Sequence, residues 1–454
     1  MSEWKTARLS EIADVRVSNV DKKSLPHEPA VKLCNYMDVY SNDYITSDLA
    51  FMEATAAPSQ IERFKVQVGD VMITKDSETP EDIGIPAVVT ESIPDLVCGY
   101  HLALIKPDSK QVDGRYLAKQ LGTSTTANYY ARQAAGSTRY GLSNGTINDT
   151  PIPLVSLPQQ RRIATILTTL DEEIEATEAL IAKHQQIKAG LMHDLFTRGL
   201  WTQAELARGD HKGLPCEATA KEGHLRPTPE EAPGLYQDSK VGLIPLAWKR
   251  SSIAEVADSL ADGPFGSNLK TEHYVTEPGV RVVRLQNIQT TRYNDDDRAF
   301  ISESHANYLS RNQVVPGDIL IAGLGEDRHV VARACCYPDD LPPAINKADC
   351  FRMRCKSDQA LNAFVMLFLN TSAAREQVRC YEQGVTRLRI NGGNLKRLHL
   401  GLPGLDEQTA IVSRIEAASR AVDEETTHFA KLRQQKQGLM HDLLTGRVRV
   451  NGGK

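Results

Sequence analysis

Six residues occur twice in the same order, 248 positions apart: Gly190-Leu191-Met192-His193-Asp194-Leu195 returns as Gly438-Leu439-Met440-His441-Asp442-Leu443. Such a repeat constrains the chain more than any local propensity, because a fold that suits one copy must suit the other. With no gap, the offset also pairs Gln160 with Gln408, Ile163 with Ile411, Lys183 with Lys431, Lys188 with Lys436 and Thr197 with Thr445. Upstream it pairs Gly136-Ser137-Thr138-Arg139 with Gly384-Val385-Thr386-Arg387, and Gly69-Asp70-Val71 with Gly317-Asp318-Ile319. Nearer the start the offset drifts, as insertions cause. Val31-Lys32-Leu33-Cys34-Asn35 meets Val283-Arg284-Leu285-Gln286-Asn287 at 252, and Trp4-Lys5 meets Trp248-Lys249 at 244. The chain is a tandem duplication. Two long copies imply a pseudo-two-fold molecule rather than a solenoid.

Each copy has the same internal order. Residues 1–156 and 246–403 carry short β-branched runs, such as 68–74 and 280–285, between Gly, Pro, Asn and Asp turns. They read as mixed α/β (α+β) globular heads. Residues 157–200 and 404–454 then show heptad spacing. Apolar side chains fall at 163, 167, 170, 174, 181, 191 and 195, and again at 411, 415, 418, 422, 429, 432, 439 and 443. Neither stripe can be buried alone, so the spacing predicts two long coiled-coil helices. The long return path between them predicts antiparallel pairing. A helix over 159–197 would span ~58 Å. Residues 201–245, rich in Gly, Pro, Glu and Ala, read as a linker with little core of their own.

Composition narrows the function classes. The formal charge is -5, divided as +3 over residues 241–454 and -8 over 1–240, which neither requires nor excludes a nucleic-acid partner. No apolar run approaches the ~18 residues of a membrane span, and Met1-Ser2-Glu3-Trp4-Lys5 starts no signal peptide. The eight cysteines (34, 98, 216, 335, 336, 350, 355 and 380) form no C-x-x-C pair, which argues against a zinc ribbon or disulfide framework and fits a reducing cytoplasm.

Catalytic motifs are missing. There is no G-x-x-x-x-G-K-[ST], H-E-x-x-H, G-x-S-x-G or Asn-Pro-Pro-aromatic signature. Gly323-Leu324-Gly325 begins a G-x-G-x-x-G, but Arg328 replaces its third glycine. Pro107-Asp108-Ser109-Lys110 lacks the spaced second acid of a nuclease cluster. His193-Asp194 and His441-Asp442 sit among leucines, where capping or helix contacts account for them. Binding signals are present instead. Residues 375–397 carry Arg375, Arg379, Arg387, Arg389, Lys396 and Arg397 against Glu376 and Glu382, and the matching stretch of the first copy holds Arg139, Tyr140 and Asn144. Arginine can donate twice to guanine and asparagine can pair with adenine. A second polar loop, Asp262-Gly263-Pro264-Phe265-Gly266-Ser267-Asn268-Leu269-Lys270, offers hydroxyl, amide and ammonium groups together.

With these residues in place, the chain resembles the specificity subunit of type I restriction–modification systems along nearly its whole length. The marks are Leu157-Pro158-Gln159-Gln160, Leu405-Asp406-Glu407-Gln408, Lys188-Ala189-Gly190-Leu191-Met192 with its copy, residues 236–245 before Trp248, and Gly263-Pro264-Phe265-Gly266-Ser267. Gln159 departs from the family's usual Glu at the start of the helix. The resemblance implies two target-recognition domains (1–156 and 246–403), each reading one half of a bipartite site in double-stranded DNA. It implies two spacer helices (157–200 and 404–454) that hold the halves apart and dock two methyltransferase subunits, with restriction (translocase/nuclease) subunits in the full complex. S-adenosylmethionine, ATP and magnesium would belong to those partners, and this chain would hold no catalytic, metal or cofactor site. The expected DNA contacts are Arg139, Tyr140 and Asn144 in the first head, and Ser267, Asn268, Lys270, Arg387 and Arg389 in the second. A stand-alone DNA-binding regulator and a coiled-coil assembly scaffold are the alternatives.

Overall fold

The computed structural model describes residues 4–213, 220–326 and 329–450; Cys216, Arg328 and the side chain of Ser267 lie outside this set. The chain divides into two units, one of residues 1–180 with 425–454 and one of residues 181–424. Each unit therefore holds a head, the start of the helix that follows it, and the end of the other long helix.

In the first unit, a five-stranded sheet runs in the order Ala13–Val17, Leu102–Pro107, Val71–Thr74, Pro86–Val89, Tyr44–Ile45. Beside it, Ala30–Cys34 pairs in parallel with Leu96–Cys98 and antiparallel with Met52–Thr55. The second unit repeats this plan with Ala257–Ala261, Cys350–Cys355, Ile319–Ala322 and Ala334–Cys336 in one sheet. There Val280–Val283 pairs in parallel with Ala344–Asn346. The expected strand over 68–74 begins only at Val71, because Gly69 turns the chain at φ +89. The one over 280–285 ends at Val283, where a 3-10 turn over Leu285–Asn287 takes over.

The repeated Gly-Asp has one structural job. Asp70 accepts from the Gln67 amide (2.9 Å) and pairs with Lys106 (2.6 Å). Asp318 accepts from the Val315 amide (2.8 Å) and pairs with Arg354 (2.7 Å). Each carboxylate thus closes the turn before a central strand and ties it to the neighbouring strand.

The long helices run Leu157–Thr197 (41 residues) and Leu405–Leu444 (40 residues). Every stripe position named above is buried or half-buried. In the first unit, Ile163 and Leu167 share a core with Leu443 and Leu444. In the second, Leu195 shares one with Ile411 and Ile415. The start of one helix meets the end of the other in both units, so the pair is antiparallel. Among the described residues, no helix is long and apolar enough to cross a membrane.

Residues 201–245 depart from the linker reading. Trp201, Ala232, Tyr236 and Ile244 are buried, and Arg226 is 1% exposed. Its guanidinium binds Glu205 (2.6 Å) and Glu407 (2.7 Å), while Glu407 also accepts from the Leu200 amide (2.7 Å) and the Trp248 indole (3.1 Å). Burial opposes the charge on Arg226, but Glu407 and Glu205 together push its pKa up. The Pro/Gly composition concealed a few anchors that fasten this segment to the second helix.

Candidate nucleic-acid interface

Both heads project the same hairpin. Tyr140–Gly141 pairs with Asp76–Ser77, and Leu388–Arg389 pairs with Leu324–Gly325, all at the offset of 248. A further bridge closes each turn, Ala135 with Gly141 and Gln383 with Arg389. The turn begins at Gly136 (φ +151) or Gly384 (φ +110), where a Cβ would lie 2.0 Å from the Arg139 carbonyl oxygen or 2.4 Å from that of Arg387. Only glycine fits. The repeated Gly-x-Thr-Arg is therefore a turn whose tip presents an exposed arginine, Arg139 or Arg387, with Val385 97% exposed beside the latter.

Around that common frame the side chains differ. In the first head, His101 (2.8 Å) and Lys75 (2.9 Å) contact Asp76 at the hairpin base. Burial raises the Asp76 pKa, yet these two partners more than offset it and hold the carboxyl below its ordinary value. Tyr36 and Tyr40 stack with ring centroids 5.5 Å apart, and the Tyr40 hydroxyl donates to Asp82 (2.7 Å). Burial and Asp82 push the Tyr36 hydroxyl upward, while Ser77 and Arg139 pull the other way, which places these groups in one neighbourhood. Tyr140 is half-buried at the hairpin base, and Asn144 is exposed in the first turn of a short helix, Asn144–Asn148.

In the second head the polarity at the hairpin base is reversed. Arg389 lies on the hairpin, 3.5 Å from Asp349, which occupies the position matching His101. Asp262 sits near Asp349; burial first, and Asp349 with it, pushes its pKa up to about 6. The start of the 262–270 loop thus abuts the hairpin, whereas its far end faces other groups. The Asn268 carbonyl contacts His305 (2.8 Å), and Lys270 lies 3.5 Å from Glu272. Neither borders the cleft that Arg387 lines. Arg375, one of the basic residues of the 375–397 stretch, is half-buried and donates to the Val331 carbonyl and to Asn370. The acidic run 295–297 carries its own counter-charges, Arg281 and Arg298 on Asp295 and Arg284 on Asp297.

These features define a class: two polar heads of one design, each built into a unit with a segment of both antiparallel helices. Residues 1–185 match the family described as type I restriction modification DNA specificity domain. The chain is similar to the type I restriction enzyme MjaVIII specificity subunit of Methanocaldococcus jannaschii, with 21% identity covering 96% of this chain and 92% of that one. In fold it is similar to the type I restriction-modification system S subunit from M. genitalium (TM-score 0.56, 12% identity, 97% and 96% covered). A chain from a structural study of type I R-M complex assembly is also similar (TM-score 0.52, 17% identity, 98% of each covered). The family match covers the first copy, residues 1–185, which the second half of the chain repeats at the offset of 248.

Proposed function

We propose that this chain is the non-catalytic DNA-reading subunit of a type I restriction–modification complex, acting in the cytoplasm. Each head reads one half of a bipartite target in double-stranded DNA. The long helices set the spacing of the halves and dock two methyltransferase subunits, with restriction subunits joining in the full complex. S-adenosylmethionine, ATP and magnesium are held by those partners. The observation that carries this reading is the repeated Gly-x-Thr-Arg hairpin: an identical frame around different side chains is what an asymmetric target on a duplicated scaffold requires. Phosphate contacts would position the heads, and base-edge contacts would specify the sequence.

The test is base-resolution methylation mapping of DNA from cells expressing the methyltransferase with and without this chain. A split motif methylated only when the chain is present supports the reading. Unchanged methylation in cells where the complex demonstrably forms contradicts it.

A further inference from the structure

The second head contains a cleft of about 550 Å³ that the hairpin arginine, Arg387, shares with residues outside the repeated motif. Arg387 lines it from the hairpin tip, Gln286, Gln289 and Asn294 from the segment after the Val280–Val283 strand, and Arg333 lines it together with Glu326 and His329, which lie 3.4 Å apart. Arg387 is exposed, and no carboxylate lies within ion-pair distance of it among the described residues. Gln286 is exposed as well.

Arg333 explains how the cleft keeps its shape. It is 4% exposed, and it donates to five backbone carbonyls: Ile288 (2.7 Å), Leu285 (3.0 Å), His329 (3.1 Å), Leu324 (3.2 Å) and Val330 (3.2 Å). One side chain therefore pins the amide-bearing turn, the hairpin-pairing strand and the 329–330 loop together. Burial lowers its pKa, and Glu326, which lines the same cleft, acts in the opposite direction. The Gln289 amide nitrogen donates to the Gln286 carbonyl (2.8 Å), which orients its amide group, and that of Asn294 is within 3.5 Å of the same oxygen.

We propose that this cleft is the base-reading site of the second head and takes the major-groove edges of purines, with Arg387 donating to guanine and Gln286 and Gln289 pairing with adenine. The proposal rests on the DNA-reading function above and adds to it the site, the base class and two residues outside the expected set. The chemistry follows from the donors: a guanidinium matches the paired acceptors O6 and N7, and a carboxamide matches the N6 donor and N7 acceptor. Arg333 is a positioning residue, since the backbone consumes its donors. At the matching place the first head presents Tyr36, its stacked partner Tyr40, and Arg139, so it reads a different half-site.

The experiment maps methylation at base resolution for the full complex carrying Gln286→Leu, Gln289→Leu or Arg387→Lys, each compared with wild type. Discrimination at one or two adjacent purine positions of one half-site falls about 5- to 150-fold, while the other half-site stays strict. Arg387→Lys keeps the charge and loses the paired donors, so it keeps methylating while accepting other bases. If all three variants preserve the wild-type motif, the cleft does not read bases, although the chain still does. If relaxation falls on both half-sites alike, the assignment is also overturned. A wild-type chain that directs no split motif removes the underlying function, a distinct result.

Discussion

Gln160 and Gln408 begin their long helices in the same fully buried environment. Gln160 accepts from the Asp113 amide (2.9 Å) and donates to the Gln111 (3.0 Å) and Val155 (2.9 Å) carbonyls. Gln408 accepts from the Leu361 amide (2.8 Å) and donates to the Gln359 and Pro403 carbonyls (2.9 Å each). Every partner obeys the 248 offset. One residue earlier the units part. Gln159 is neutral and half-buried, with its side chain on Ser156 and the Val450 carbonyl (3.1 Å). Glu407 is buried against Arg226, the Leu200 amide and the Trp248 indole. The difference teaches which parts of the duplication are fixed. At Gln160 and Gln408, where the side chain satisfies the same three buried backbone groups, the copies agree, because another residue would leave those groups unpaired. The buried charge of Glu407 stands in the unit that supplies its counter-charge, and Arg226 comes from the segment joining the copies.

Breaking that ion pair gives the largest effect. Arg226→Met leaves Glu205 and Glu407 buried without a cation and costs about 3–5 kcal/mol in chemical denaturation. Adding Glu205→Gln and Glu407→Gln recovers much of the loss. A cost below about 1 kcal/mol would mean the network is not what fastens residues 201–245. Next come Gln160→Leu and Gln408→Leu, each unpairing three backbone groups for about 2–3 kcal/mol. Equal losses sharpen the comparison, and unequal ones break the claim that the two helix starts are one structure. Gln159→Glu changes stability by less than about 1 kcal/mol at neutral pH, since the half-exposed carboxylate keeps access to water; a larger loss would reveal a buried site like that of Glu407.

The last effect is a matter of pH. Asp262 titrates at about 6 in the folded protein against an ordinary 3.8. Its folded value is raised, so its contribution to stability is present below pH 3.8 and is lost as pH rises through about 6. Melting temperatures across pH 4–7 therefore decline less in Asp262→Asn than in wild type. Identical slopes would show that Asp262 does not titrate in this window.

Much of the frame was legible because duplication marks it. Gly69-Asp70 with Gly317-Asp318, Gln160 with Gln408, and the Gly-x-Thr-Arg turns all serve the backbone, and identity between copies points to such duties. The helices were legible through their heptad stripe, and their direction through the length of chain between them. Other features were not. Arg226 lies in a stretch whose prolines and glycines resemble a linker, and a lone arginine gives no sign of the two carboxylates it meets. Arg333 has Ile85 at the matching position of the first copy, so the repeat could not mark it. Gln286 and Gln289 read as ordinary surface amides until the fold sets them opposite Arg387. The sites where the heads differ are the ones that comparison of the copies conceals.

The central claim is that the two heads read separate half-sites through equivalent hairpins. The most direct measurement is a pair of methylation maps, one for the complex carrying Arg139→Ala and one for Arg387→Ala. The account predicts that Arg139→Ala relaxes one half of the split motif and Arg387→Ala relaxes the other, with the spacer unchanged in both. Relaxation of the same half by both variants, or full strictness in both, would contradict it.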